Sequence, residues 1–499
     1  MVLTIYYICD KKWRWCVLLA ASAIFFIAAC SVNLFLVFAL MSFLTWGAAY
    51  SLSYLSERNK KIITGTTIFI LLLFLFFYKD FAFVFINLRL LESIFDFKTG
   101  LTAPHWLAPL GISYFTLILI GYLLDVCWGA VKAQKNPLKV LLFAGYFPQL
   151  TTGPFTRYTQ MREGLYAGGN FNLSNVWNGL QRAIWGFFKV VVISTRLQVL
   201  VTTIYDTQLP ATGLQYTGCF TIKGATLYVT YVYVNFSGSM DVVIGLSEMF
   251  GITLPENFNR PFSSTSLSEF WRRWHITLGL WLKDFVLYPV LKSPALATVR
   301  NYCQKTFGKK VSKRVPTYIG MFVTWFCVGF WHGGSYKFIF SSGLFFFIMI
   351  VGGMLLEPVF DSLIKIFRIN TNCQSWIWFQ RIRTASLFIL SVSFGRASSL
   401  STGFSMWDAA FANFNLRDIT VWETWQNMGL ATSDFWIIGF GLFLMFMVSH
   451  IQTITNGSVR KWLSEQNIVF HLSIIFMLGS CVIAIGSFSD KVDLMYGNF

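Results

Sequence analysis

Charged residues are scarce in this sequence of 499 amino acids, since only 12% are Asp, Glu, Lys or Arg. Soluble domains usually carry about 25% charged residues, so this shortage argues against a soluble globular protein. Hydrophobic residues make up 55% of the chain, and Phe (53) and Trp (19) are abundant. Aromatic rings are typical of membrane interfaces. The composition therefore predicts an integral membrane protein.

Cysteine motifs are also missing. The nine cysteines are scattered without CxxC spacing, which excludes a disulfide framework and a cysteine-based zinc site. We expect neither a metal nor a bound cofactor. The sequence also lacks internal repeats, long linkers and low-complexity stretches, so 1–499 is interpreted as a single membrane-embedded domain.

Acidic residues are outnumbered, with 22 Asp or Glu against 39 Lys or Arg and a formal charge of +17. The basic residues lie in short loops between apolar runs, as at 11–14 and 58–61. This is the positive-inside pattern of membrane proteins and not a nucleic-acid-binding surface. The loop 250–316 is basic and predicted to be cytoplasmic, whereas 401–434 is acidic and predicted to be external. The same alternation places the C-terminal tail, 488–499, outside.

About ten or eleven segments are apolar and long enough to cross a bilayer, which requires about 20 residues. We expect all of them to be helices, because lipid offers no hydrogen-bond partner to an open strand. The fold class predicted is an all-α polytopic membrane protein with additional interfacial or re-entrant helices. The predicted spans are 14–30, 33–55, 62–78, 106–128, 222–249, 317–331, 335–355, 384–400, 434–452 and 467–487, with a weaker one at 138–152 that Pro148 and Pro154 interrupt.

Segment 175–204 is helical in pattern but carries charge. Arg182, Lys189 and Arg196 are spaced seven residues apart and form one basic stripe on an apolar cylinder. This pattern predicts an interfacial helix. A tilted span with a few buried charges is the alternative.

Segment 264–284 reads as one helix with an aromatic face. Ser266 followed by Glu269 is typical of a capping box at a helix start. The apolar face includes one histidine and is formed by Trp271, Trp274, His275, Leu278, Trp281 and Leu282. His275 has a plain alternative role as a packed residue with one hydrogen bond. Arg272 and Arg273 could bind donor phosphates or, equally, lipid headgroups.

His332 is the strongest candidate for chemistry among only five histidines. It follows an apolar run in the sequence Phe-Trp-His-Gly-Gly, where an ionisable group is costly and marks a functional site by default. Burial favours the neutral imidazole, which can act as a base. A histidine that merely caps a helix hairpin is the alternative.

A polar cluster interrupts the span 222–249. Asn235, Ser237 and Asp241 lie within an apolar run, and buried polar groups need partners. The cluster either lines a channel or joins neighbouring helices.

Several blocks, in order along 111–355, match a known family. They are Gly111-Ile112-Ser113-Tyr114-Phe115-Thr116, Pro148-Gln149-Leu150, Gly153-Pro154, Arg157-Tyr158, Asn235-Phe236-Ser237-Gly238 with Asp241, Pro255-Glu256-Asn257-Phe258-Asn259-Arg260-Pro261-Phe262, Glu269-Phe270-Trp271-Arg272-Arg273-Trp274-His275 and Phe330-Trp331-His332-Gly333. The chain resembles membrane-bound O-acyltransferases of the bacterial branch that contains alginate O-acetyltransferases and teichoic-acid D-alanyltransferases. The ordered set is far more specific than any one block.

The resemblance implies a helical ring around a central channel in the bacterial cytoplasmic membrane. It implies that His332 is the catalytic histidine and His275 the second histidine of the family, with Asn257 beside the channel. The donor would be a cytoplasmic thioester, acetyl-coenzyme A or an acyl carrier protein. The acceptor would be a cell-surface polymer. The basic segment 290–316 lacks the glycine-rich turn expected of an alginate enzyme, which leaves the acceptor open.

The tail adds a further expectation from the same resemblance. Tyr496, three residues before the terminus, is similar to an aromatic C-terminal motif in which a tyrosine carries the acyl group as an ester. An extracytoplasmic partner of the SGNH or GDSL hydrolase type would then pass the group to the polymer. The alternative is a tail whose aromatic rings only touch the membrane interface.

A transporter or flippase for a polymer precursor is the competing class of function. Such a protein would show pseudo-symmetric halves with paired broken helices, and the sequence shows none. Hydrolysis of acetyl-coenzyme A by the purified protein would separate the two classes.

Overall fold

Helices follow one another along the chain in the computed structural model, which describes residues 1–102, 107–208, 218–414, 416, 425, 428–455 and 459–488. The structure is 80% helical, and the described ranges contain no β-strand. The predicted all-α polytopic membrane fold is therefore confirmed.

The first group precedes residue 103. Ser31 begins the third helix, because its side chain accepts a hydrogen bond from the Leu34 N–H at 3.3 Å. The helices are α1 Val2–Ile8, α2 Arg14–Ala29, α3 Val32–Ser51, α4 Glu57–Leu75 and α5 Ala82–Phe95, with 3₁₀ turns at Lys11–Trp13 and Leu52–Tyr54 and a π-helical turn at Phe76–Asp80 between α4 and α5.

The second group carries the polar cluster and the basic stripe. Its helices are α6 Ile112–Cys127, α7 Pro137–Gly145, α8 Tyr158–Ala167, α9 Leu173–Phe187, α10 Thr195–Thr202 and α11 Gly218–Met249, with π-helical turns at Phe188–Ser194 and Thr203–Gln208. The weak span 138–152 ends as a helix at Gly145, and the buried loop 146–157 follows.

The third group contains both predicted histidines of the site. Its helices are α12 Leu267–Trp271, α13 Ile276–Leu282, α14 Pro294–His332, α15 Phe345–Ile366, α16 Gln374–Arg396, α17 Leu400–Ala412, α18 Thr432–Ile454, α19 Val459–Ser464 and α20 Ile468–Ile485, with short turns at Pro261–Ser263, Lys283–Leu287, Tyr288–Leu291, Tyr336–Phe338 and Ile339–Leu344. Helix α14 is interrupted at Gly308, whose φ of +83° is left-handed.

Seven helical segments of the described chain are long and apolar enough to cross a membrane: Lys11–Ala29, Val32–Tyr54, Glu57–Asp80, Leu173–Asp206, Tyr336–Ile366, Thr432–Ile454 and Ile468–Ile485. Six of them correspond to predicted spans. Helix α6 is a shorter apolar helix, and 222–249, 317–331 and 384–400 lie within α11, α14 and α16. By length and composition, the described residues thus give fewer spans than the ten or eleven expected.

The remaining segment, Leu173–Asp206, was not among the predicted spans, and its contacts contradict the prediction of an interfacial helix at 175–204. Its basic side chains are paired inside the protein and do not face headgroups. Lys189 donates to Asp241 at 2.6 Å, Arg182 to Asp241 at 2.9 Å, and Arg196 to Asp434 at 2.8 Å. These contacts favour the alternative of a span with buried charges, and by length and composition the segment is able to cross a membrane.

Helices α9 and α11 approach closely because glycines face each other. A Cβ on Gly245 would lie 2.5 Å from the carbonyl oxygen of Gly179, and one on Gly186 would lie 2.6 Å from that of Gly238. Small residues allow such close packing in membranes. The close approach brings the Asp241 carboxylate to the two basic side chains.

The largest core packs α2, α3, α6 and α7 through stacked and edge-on aromatic rings. The ring of Phe38 lies 5.3 Å from that of Phe26 and 4.9 Å from that of Phe115, centre to centre. Gly145 ends α7 against Phe38, since a Cβ there would lie 2.6 Å from the Phe38 ring. This packing fixes the point at which loop 146–157 begins.

Candidate functional site

The chain turns sharply at His275. Its φ of +49° and ψ of +47° are left-handed, a conformation that costs of order 1–3 kcal/mol in a non-glycine residue. The prediction of one helix over 264–284 is therefore wrong, and α12 and α13 are separate. Ser266 does begin α12 by accepting from the Glu269 N–H, but the Glu269 carboxylate accepts from Thr265 and not from Ser266.

Backbone pairing explains the turn. The Asn259 N–H donates to the Arg273 carbonyl at 2.9 Å, and the Ile276 N–H donates to the Asn257 carbonyl at 3.0 Å. Residues 257–259 thus run antiparallel to 273–276. A helix cannot continue through 273–276 while these groups are paired across the chain.

Asn257 holds the imidazole of His275. Its Oδ1 accepts from the Thr277 N–H at 3.1 Å and from the Thr277 hydroxyl at 2.9 Å. The His275 Nδ1 lies 3.2 Å from Asn257 Nδ2 and 3.3 Å from Oδ1. Because Oδ1 already accepts two hydrogen bonds, the favoured donor to Nδ1 is Nδ2, which puts the ring proton of a neutral His275 on Nε2.

Loop 146–157 closes one side of the site. The Phe155 N–H donates to the Thr277 hydroxyl at 2.9 Å, which ties the loop to the Asn257 network. The Phe155 ring stacks on Tyr114 at 4.6 Å and lies 5.9 Å from the His275 ring. Phe236 contacts His275 from another direction at 4.8 Å. The imidazole is therefore enclosed by aromatic rings and only 3% exposed.

His332 ends α14 and meets His275 across Trp331. The Trp331 ring centre lies 5.0 Å from that of His332 and 6.1 Å from that of His275. The indole N–H of Trp331 donates to the Ser113 carbonyl on α6 at 3.4 Å. The two imidazoles therefore lie beside the same indole ring. His332 is partly exposed and makes no hydrogen bond to any residue that the structure describes.

Sequence reasoning missed Lys79 and Asp80, which contact the turn after His332. The Lys79 ammonium donates to the Trp331 carbonyl, and the Gly334 N–H donates to the Asp80 carboxylate at 2.7 Å. The sequence feature that could have identified these two residues is the pair of opposite charges directly after the apolar run 62–78.

The polar cluster of α11 joins helices. Asn235 donates to the Ser194 hydroxyl at 3.0 Å, Ser237 accepts from Lys189 at 3.1 Å, and Asp241 binds both Lys189 and Arg182. These contacts are the helix-joining alternative of the sequence analysis.

The ion cluster continues from α11 toward the site. Arg182 also grips the Glu256 carboxylate with two hydrogen bonds of 2.6 Å. Glu256 immediately precedes Asn257, so the cluster holds the start of the segment that binds His275.

The remaining predicted residues of 271–274 divide into packed and exposed side chains. The Trp271 ring lies 5.1 Å from that of Trp325, and Trp274 stacks on Phe270 at 5.6 Å. Both rings build the core beside His275.

Of the two arginines, Arg273 is engaged. It forms an ion pair with Glu269 at 2.8 Å and donates to Ser263 at 3.0 Å. The side chain of Arg272 is exposed and makes no hydrogen bond or ion pair with another described residue. Donor binding by Arg272 stays a prediction. Tyr496 lies outside the described residues, as does the tail from 489 onward.

The chain has curated relatives among polymer-modifying enzymes. It is 30% identical over 342 residues to a probable alginate O-acetylase of Pseudomonas aeruginosa, covering 68% of this chain and 60% of the relative. It is 29% identical over 304 residues to a peptidoglycan O-acetyltransferase of Helicobacter pylori, covering 56% and 52%. It is 28% identical over 244 residues to a teichoic acid D-alanyltransferase of Bacillus subtilis, covering 47% and 57%. No family model matches the chain.

The described part of the chain combines a polytopic helical fold with two histidines around a buried tryptophan. The relatives confirm the resemblance to membrane-bound O-acyltransferases that the motifs predicted. The matched region spans about 60% of the length of the alginate O-acetylase of Pseudomonas aeruginosa.

Proposed function

We propose that this protein is a membrane-bound O-acyltransferase that moves an acetyl group from a cytoplasmic thioester toward a hydroxyl of an extracytoplasmic polysaccharide or cell-wall polymer. The observation that carries the proposal is the position of two imidazoles within 6.1 Å of the Trp331 ring centre. Relatives named for acetylation of alginate and of peptidoglycan support the reaction class.

His332 would act as the general base. An acceptor hydroxyl oxygen attacks the thioester carbonyl while the imidazole takes the hydroxyl proton. Collapse of the tetrahedral intermediate breaks the carbon–sulfur bond, and the proton goes to the departing thiolate. The partial exposure of His332 suits a group that must meet a substrate, whereas the buried His275 suits a fixed hydrogen-bond donor.

The exposed Arg272 would serve the donor. A guanidinium with no hydrogen bond or ion pair to another described residue suits the phosphates of coenzyme A or of a phosphopantetheine arm on a carrier protein. It lies three positions before His275 in the sequence, next to Trp271 and Arg273, whose contacts fix the backbone of this segment.

An acetyl group suits the apolar surroundings of His275 better than D-alanyl does. Phe155, Phe236 and Trp331 surround His275 with apolar rings. The ammonium of D-alanine would need an anionic or hydrogen-bonding partner in such surroundings. D-alanyl transfer, which the name of the Bacillus subtilis relative describes, is the alternative.

Tyr496 would carry the acyl group between donor and polymer. In this step the phenol oxygen replaces the sulfur of the thioester, forming an aryl ester and releasing the thiol. A partner of the SGNH or GDSL type then takes the acyl group on its serine. Full polymer acylation in cells that carry Tyr496→Phe would refute the relay.

The test is transfer of labelled acetyl from acetyl-coenzyme A by the purified protein. His332→Ala should lower release of the thiol by at least about 10²-fold, the low end for loss of a general base. His450→Ala is the matched control, since His450 is an exposed histidine stacked on Phe446. Wild-type protein that neither hydrolyses nor transfers the thioester would overturn the proposal and favour a transporter.

A further inference from the structure

The turn that carries His332 is contacted by another part of the chain, the segment that follows α4. Lys79 and Asp80 end the π-helical turn Phe76–Asp80, and both reach the turn directly. We propose that Lys79 and Asp80 are positioning residues that fix the orientation of the His332 imidazole for acyl transfer. This inference rests on the proposed function.

The two contacts bracket His332 in the chain. Lys79 binds the carbonyl of Trp331, the preceding residue, and its ammonium lies 5.1 Å from the Trp331 ring centre. Asp80 binds the N–H of Gly334, two residues after His332. The final carbonyls of a helix lack partners within the helix, and a basic side chain can satisfy them. The two ends of the turn are thus fixed independently.

The glycines after His332 allow this approach. A Cβ on Gly334 would lie 2.8 Å from the Asp80 Cβ, and one on Gly333 would lie 2.6 Å from the Phe338 ring. Either side chain would push the turn away from its contacts. The two glycines of the Phe-Trp-His-Gly-Gly sequence are therefore required for contact with the segment that follows α4, as well as for access to the imidazole.

One face of α5 contacts the residues on either side of the same turn. The Phe83 ring lies 5.9 Å from that of Phe330 and 5.4 Å from that of Tyr336. The Tyr336 hydroxyl donates to the Asn87 Oδ1 at 2.5 Å. Phe83 and Asn87 share one face of α5, at i and i+4. The segment 79–87 therefore holds the chain from residue 330 to 336.

The charges of this pair are costly, which points to a positioning role. Asp80 is only 3% exposed, and a buried charge is destabilising unless it is paired and hydrogen-bonded. A neutral side chain could cap a helix end at lower cost. Two adjacent opposite charges each bind a defined backbone atom, so they specify where the turn lies.

The first experiment compares Asp80→Ala with Asp80→Asn in acetyl transfer from acetyl-coenzyme A. The asparagine keeps an oxygen for the Gly334 N–H, whereas the alanine does not. We expect Asp80→Ala to lower kcat by about tenfold or more, with KM for the donor changed by less than about twofold. Asp80→Asn should restore most of the lost kcat. Glu92→Ala, which removes a half-exposed carboxylate from α5 that binds Thr99, is the control and should leave both constants unchanged.

A merely structural role predicts a different pattern. Equal loss of kcat in both Asp80 variants, or a wild-type kcat in Asp80→Ala, would overturn the proposal. Lys79→Arg should keep kcat near the wild-type value and Lys79→Met should not, because only a cation can bind the Trp331 carbonyl and its ring together. If Asp80→Ala does not fold, the Asp80→Asn and Lys79 variants decide.

A second readout is independent of turnover. Diethyl pyrocarbonate modifies accessible imidazoles, and peptide mapping gives the rate at each histidine. In Asp80→Ala the rate at His332 should change several-fold, while the rate at the exposed His450 should not. An unchanged rate at His332 would refute the positioning role even if the wild-type protein has no acyltransferase activity. Inactive wild-type protein with a changed His332 rate would refute the proposed function alone.

Discussion

Asn257 and His275 are joined by a side-chain hydrogen bond, with 3.2 Å between Nδ2 and Nδ1, although they belong to different sequence motifs. The same amide also binds the backbone and the hydroxyl of Thr277. One side chain therefore sets both the ring orientation of the buried histidine and the start of α13.

Replacing Asn257 by alanine should destabilise the fold and reduce acyl transfer. Loss of a partner for a buried polar group costs about 1–3 kcal/mol, and here the imidazole and Thr277 both lose one. Thermal unfolding in detergent and acetyl transfer would measure the two effects. Asn259→Ala alters an exposed neighbour and should change neither. Wild-type stability in Asn257→Ala would contradict the hydrogen-bond network described here.

The left-handed turn at His275 shows where sequence reasoning ends. Helical spacing placed five apolar residues and His275 of 271–282 on one face, and a continuous helix satisfied that pattern. The break depends on backbone pairing with 257–259, a tertiary contact that periodicity does not record. His332 could be predicted because an imidazole beside glycines at the end of an apolar run is unusual on local evidence alone.

The basic stripe shows a second limit. Spacing of seven residues gives the same stripe on a helix that faces headgroups and on one that faces acidic side chains. Asp241 and Asp434 decide between the two, and they lie on α11 and α18. Local charge pattern identified the feature but could not identify its partners.

Gly245→Ala should destabilise the protein by about 1–3 kcal/mol, the range for inserting atoms into a packed interior. The added methyl would lie 2.5 Å from the Gly179 carbonyl oxygen, and two helix backbones would have to separate. Gly352→Ala on α15 is the control, because a Cβ there meets nothing within 4 Å. That variant should unfold at or above the wild-type temperature. Equal midpoints for both variants would contradict the close crossing of α9 and α11.

Asp241→Asn should be more damaging, by about 3–5 kcal/mol, because removal of one buried partner leaves uncompensated charge. Both Lys189 and Arg182 depend on this carboxylate. The matched control is Asp361→Asn, at an exposed position of α15. Thermal unfolding in detergent checks the difference. A second variant, Lys189→Met with Asp241→Asn, should recover part of the loss, and no recovery would mean that the pair is not coupled.

Arg272→Ala should raise the KM for acetyl-coenzyme A by about tenfold or more, since hydrogen bonds to charged groups contribute about 1.5–3 kcal/mol. The unfolding temperature should not change, because the Arg272 side chain is exposed. Arg58→Ala removes another exposed arginine, at the start of α4, from a basic segment predicted to lie on the same side of the membrane, and should leave KM unchanged. A fall in kcat at constant KM would instead indicate that Arg272 supports the structure around His275 and does not bind the donor.

The paired charges of Leu173–Asp206 also constrain how the protein is made. Arg182, Lys189 and Arg196 find their partners 59, 52 and 238 residues later in the chain. A lone arginine or lysine at the centre of a membrane helix costs about 2.5–3.5 kcal/mol on the scale of translocon insertion. We therefore expect this segment to remain at the membrane surface or within the insertion machinery until α11 has been synthesised. Stable insertion of the helix thus depends on segments that are synthesised later, and its last ion pair forms only with α18.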